Sequence, residues 1–97
     1  MIVEHAVLHV KLGQSAAFVS AMRSARELIM ISPGFESIEV RPSAETPDRY
    51  LLRVVWSDIA AHREGFRQSE RYAKWRALLH HFYEPMPSVE YFVESII

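Results

Sequence analysis

The chain has 97 residues, 11 basic and 12 acidic, a net charge of −1 and no cysteine. That length allows one domain, residues 1–97, and the near-neutral balance offers no electrostatic footprint for nucleic acid. Without cysteine there is no disulfide framework, thiol nucleophile or thiolate metal site, which fits a reducing compartment.

Residues Ile2 to Lys11 alternate and are rich in Val, His and Leu, which predicts a first strand. Gly13 supplies a turn, and Gln14 or Ser15 opens a helix running to about Ile31. Phe18, Met22, Ala25 and Ile29 form its apolar stripe, and Ser32-Pro33-Gly34 ends it. Phe35 to Arg41 alternates again, Pro42 to Asp48 reads as a connection, and Arg49 to Trp56 is a dense strand run. Two strands flanking so short a loop pair as an antiparallel hairpin. Ser57-Asp58 caps a short helix through Phe66. Ser69 caps another, with Tyr72, Trp75, Leu78, Leu79 and Phe82 as its stripe. After Glu84-Pro85-Met86-Pro87, Val89 to Val93 or beyond makes a last strand. The order β-α-β-β-α-β is the α+β ferredoxin-like plan with an antiparallel sheet. Met1 to His5 lacks the character of a signal peptide and no apolar run approaches the ~20 residues of a membrane span, so a cytoplasmic place away from any membrane is expected.

Strand alternation separates two faces. Ile2, Ala6, Leu8 and Val10, with Ile38, Val40, Tyr50, Leu52, Val54 and Trp56, make an apolar layer that the two helices cover. The opposite face carries Val3, His5, Val7, His9, Phe35, Ser37, Glu39, Arg41, Leu51, Arg53 and Val55. It is more apolar than a face left in water, and covering it would stabilise by several kcal/mol at ~25 cal/mol per Å2. A homodimer packing two sheets face to face is therefore expected, with Glu39, Arg41 and Arg53 as ion pairs within the barrel it encloses. The alternative is an antiparallel sheet with one wet face.

The runs His62-Arg63-Glu64-Gly65-Phe66-Arg67-Gln68-Ser69 and Tyr72 to Tyr83, the Val55-Trp56-Ser57 strand end and the opening Lys11-Leu12-Gly13-Gln14 resemble the antibiotic biosynthesis monooxygenase family. The resemblance covers essentially the whole chain. It implies a dimeric α+β barrel with a pocket in each subunit between sheet and helices. It also implies cofactor-independent oxidation of a small electron-rich aromatic, quinol or polyketide-like substrate by O2. Such chemistry needs a base, a hydrogen-bonding group and dry aromatic walls.

In the aromatic-polyketide members an amide residue, a tryptophan and a tyrosine recur at i, i+4 and i+10. Here those places hold His62, Phe66 and Tyr72, so the tyrosine matches and the other two differ. The expected site has His62 and Tyr72 as catalytic groups, and Phe66 and Trp75 as substrate-binding walls. The bland alternatives are a helix-end His62 bonded to backbone, and aromatics that serve only as core. No cofactor is expected: where the haem-degrading branch uses an asparagine, a tryptophan and a histidine ligand, this chain has His5, Phe66 and Arg76. No metal is expected either, since His80 and His81 point ~100° apart on a helix and His5 and His9 lie ~13 Å apart on a strand. A non-catalytic small-ligand module of the same fold is the rival reading, and a haem-binding or haem-degrading relative ranks behind it.

Overall fold

The computed structural model describes residues 1–97. The elements follow in the order β1 (Ile2–His9), α1 (Ser15–Met30), β2 (Phe35–Pro42), β3 (Arg49–Trp56), a π-helical turn (Ala61–Phe66), α2 (Glu70–Leu79), a 3-10 turn (His80–Phe82) and β4 (Glu90–Phe92). The four strands form one antiparallel sheet in the order β2-β3-β1-β4. This is the α+β ferredoxin-like plan expected from the strand and helix periodicities.

Side-chain periodicity accounts for the layers. The buried residues of α1 are Phe18, Met22, Ala25 and Ile29, the stripe read from 3.6-residue spacing. Ser69 caps α2, its hydroxyl accepting the Tyr72 N–H at 3.3 Å. Trp75 and Leu79 are the buried residues of α2, whereas Leu78 lies partly in solvent and Phe82 is buried from the 3-10 turn beyond the helix. Ile2, Ala6 and Leu8 from β1 and Leu52, Val54 and Trp56 from β3 meet these helices as one core. Burying each large apolar side chain stabilises by about 1.5–3 kcal/mol before chain entropy is counted.

Three local departures from simple alternation matter. Phe35 pairs with Trp56 while Ser37 pairs with Val55, so the strand bulges at Glu36. The extra residue turns Phe35 to the helix side, where its ring meets Trp56 edge-on at 5.9 Å, not to the opposite face as alternation predicts. The first strand ends at His9, and Val10 makes an isolated bridge with Tyr83. The last strand is only three residues long, Glu90 to Phe92, and is held by β1.

Gly34 fixes the entry into β2. Its φ of +84° suits glycine, and an added Cβ would lie 2.6 Å from both Ala61 Cβ and Ser57 Oγ. Its carbonyl accepts the Ser57 N–H at 2.7 Å, tying the start of β2 to the end of β3.

On the face away from the helices, Val3, His5, Val7, His9, Leu51 and Arg53 are half-buried and Val55 is buried. Phe92 joins them, 46% exposed and edge-on to His5 at 5.7 Å. Glu39 takes both Arg41 (2.9 Å) and Arg53 (3.4 Å) in a surface ion cluster on this side.

Candidate functional site

Pleat alternation carries Glu4 onto the helix-covered face, between Ile2 and Ala6 in the central strand. Its cross-strand neighbours are Val54 on β3 and Tyr91 on β4. Glu4 is only 4% exposed, as is His62. A carboxyl in such surroundings needs partners, and the neighbouring elements supply them. Trp56 Nε1 donates to Glu4 Oε1 at 2.9 Å, and His62 Nε2 lies 3.3 Å from the same oxygen. The other ring nitrogen, His62 Nδ1, is 2.6 Å from the Tyr91 hydroxyl. The result is a continuous polar chain, Trp56–Glu4–His62–Tyr91, spanning β3, β1, the π-helical turn and β4.

Burial sets the proton affinities within this chain. Desolvation pushes the Glu4 carboxyl up to about 7, against the opposing pull of the Trp56 N–H and the Arg67 charge. Desolvation also lowers His62, to about 4, with the Arg67 and Arg63 charges adding to the effect. Near neutral pH the imidazole is therefore uncharged and Glu4 exchanges its proton readily. Tyr91 is pushed above the ordinary phenol range, chiefly by burial. With Glu4 ionised, a consistent proton arrangement has His62 Nε2–H donating to Glu4 and the Tyr91 hydroxyl donating to Nδ1. With Glu4 protonated, its own hydrogen can point at Nε2.

The π-helical turn decides what accompanies His62. The Arg67 N–H donates to the His62 carbonyl at 3.0 Å, a bond across five residues. On an ordinary α-helix, residues five apart point ~140° away from each other. The widened turn lets His62, Phe66 and Arg67 line one cavity. Phe66 stacks on His62 (6.3 Å between ring centroids) and meets Trp75 edge-on at 5.7 Å and Tyr72 at 5.5 Å. Trp56 completes a three-ring cluster, its ring 5.4 Å from the imidazole and 5.9 Å from Phe66.

The cavity beneath the helices measures about 190 Å3 and is bounded by Glu4, His62, Phe66, Arg67, Tyr72, Trp75, His80 and Tyr83, with Leu8, Leu52 and Ile29 among its apolar walls. All four residues singled out from the sequence, His62, Tyr72, Phe66 and Trp75, thus border one space. His62 is held by the side chains of Glu4 and Tyr91, not by backbone as a helix-end histidine would be. His80 and His81 diverge: His80 borders the cavity between Tyr72 and Tyr83, and His81 is exposed against Phe82. Sequence reasoning missed Glu4 and Tyr91. The signal for Glu4 was a lone acidic residue at an inward position of the most apolar strand. A larger hollow of about 380 Å3 lies between α1 and β2, but its one acidic group, Glu39, is already engaged by Arg41 and Arg53.

The family model for antibiotic biosynthesis monooxygenases matches residues 1–78. The chain belongs to the antibiotic biosynthesis monooxygenase family. It is 41% identical over 92 residues to the uncharacterized protein YczJ of Bacillus subtilis (strain 168), covering 95% of this chain and 97% of that one. A crystal structure of a Bordetella bronchiseptica protein assigned by name to the same family is 32% identical with a TM-score of 0.93, covering 98% of this chain and 97% of that one. SnoaB, a cofactor-independent oxygenase from Streptomyces nogalater, shares the fold with a TM-score of 0.85 at 17% identity, covering 99% and 94% of the two chains. No helix of this family member is long and apolar enough to cross a membrane.

Proposed function

We propose that this family member is a cofactor-independent monooxygenase that oxidises a small electron-rich aromatic, quinol or polyketide-like substrate with O2. The observation that carries this reading is a buried acid–base pair, Glu4 and His62, opening onto an aromatic-walled cavity. SnoaB, an oxygenase without a cofactor, is built on the same fold, which supports the reaction class.

In this reading the substrate's hydroxyl proton passes to the Glu4–His62 pair. A group whose affinity lies near 7 is well matched to exchange protons at neutral pH. The electron-rich anion then gives an electron to O2, and the resulting pair recombines at ring carbon. The O–O bond breaks, one oxygen stays on carbon, and the other leaves as water with two hydrogens from the substrate, so a phenol becomes a quinone. Tyr72 orients the substrate oxygen, while Phe66 and Trp75 hold the ring and exclude bulk water. The working unit is a homodimer joined through the sheet face that carries Val3, Val7, Leu51, Val55 and Phe92, and it acts in the cytoplasm.

Oxygen uptake with a panel of naphthols and quinols tests the reaction. One O2 consumed per substrate, with a marked loss in His62→Ala, is the expected result. Tight binding of these compounds with no oxygen consumed would replace the enzyme with a non-catalytic binding module. Unchanged turnover in His62→Ala would remove His62 from the mechanism.

A further inference from the structure

We infer that Arg67 forms an anion subsite at the edge of this cavity, and that the ligand is a small aromatic carrying a carboxylate on or beside its ring. The inference rests on reading the cavity as a ligand chamber.

Arg67 borders the cavity and makes no ion pair within the chain, whose salt bridges involve Met1, Arg41, Arg53 and His62 instead. Its position is nonetheless defined. The backbone N–H of Arg67 is bonded to the His62 carbonyl, and its guanidinium lies over the Tyr72 ring at 5.6 Å. The sole carboxyl bordering the cavity is Glu4, which is buried and already receives Trp56 and His62. The remaining polar neighbours, His80, Tyr72 and Tyr83, add no further carboxyl group. The cavity therefore presents one unpartnered cation and no free anion. A guanidinium offers paired N–H donors in a plane, the geometry that a carboxylate accepts.

Size narrows the class further. A dry cavity of roughly 150 Å3 accommodates benzene, so about 190 Å3 takes one ring with small substituents. The apolar and aromatic walls hold the ring, and Arg67 at the exposed edge receives the charged group without burying it.

An isosteric pair of probes tests this: 2,5-dihydroxybenzoate and the neutral 2,5-dihydroxybenzamide, titrated against the whole chain by tryptophan fluorescence or calorimetry. The expected result is a Kd about tenfold lower for the acid, as one charge-assisted bidentate contact provides. In Arg67→Gln that preference should fall to within about twofold, with amide binding little changed. Circular dichroism checks that the variant folds. Equal affinities in the unaltered protein, binding of neither probe, or a preference that survives Arg67→Gln would each overturn the subsite. Oxygen uptake is read separately, so binding of the acid without turnover would sink the oxygenase reading and leave the anion subsite standing.

Discussion

Replacing Glu4 by glutamine should unmask a pH dependence of stability that the native pair hides. Glu4 has a folded proton affinity raised from 4.5 to about 7, so its contribution is fully present below 4.5 and is lost as pH rises through 7. His62 is lowered from 6.5 to about 4, so its contribution is present above 6.5 and is lost as pH falls through 4. Between 4.5 and 6.5 the folded pair holds one proton, on Glu4, and the unfolded pair also holds one, on His62. The two slopes cancel. In Glu4→Gln the amide oxygen still accepts from Trp56, but only the His62 slope remains. Two pH units at about 1.4 kcal/mol each, less the rounding at both ends, leave about 2–3 kcal/mol. Urea unfolding of both proteins at pH 4.5, 5.5 and 6.5 measures it, because the other carboxyl groups titrate alike and drop out of the difference. Glu4→Gln should lose about 2–3 kcal/mol relative to the unaltered protein on going from pH 6.5 to 4.5. A difference that stays flat to within about half a kcal/mol would refute the coupled-pair account.

Two further outcomes follow from the fold. Gly34→Ala should destabilise by at least about 2 kcal/mol, since it adds left-handed strain and a Cβ 2.6 Å from Ala61 and Ser57; an unchanged urea midpoint would contradict that crowding. Light scattering at micromolar concentration should give twice the chain mass, and Val7→Asp, opposite Leu51 on the outer sheet face, should give a monomer. A monomer from the unaltered chain would remove the dimer from the proposal.

Much of this architecture is legible in residue spacing. The α1 stripe at Phe18, Met22, Ala25 and Ile29 survives intact because helical periodicity and burial are the same fact seen twice. What escapes is whatever depends on backbone irregularity or on strand neighbours. Phe35 changes sides because of one bulged residue, which leaves no trace in the pattern of apolar side chains. Tyr91 reaches His62 only because β4 docks beside β1 with Tyr91 opposite Glu4, a register that a three-residue strand cannot announce. The four residues expected from the sequence border one cavity, but the carboxyl bonded to His62 lies 58 positions before it and joins it only through the fold.

The widened turn at Ala61–Phe66 makes chain length itself a determinant of this site. His62 and Arg67 behave as companions because one surplus residue is stored between them. Removing a single residue there would swing everything downstream by ~100° until the next loop absorbs it, with every remaining side chain unaltered. Relatives that keep each cavity residue but differ by one in the spacing from Trp56 to Ser69 would then be expected to house differently charged ligands. Insertions and deletions in this short stretch carry information that substitutions do not.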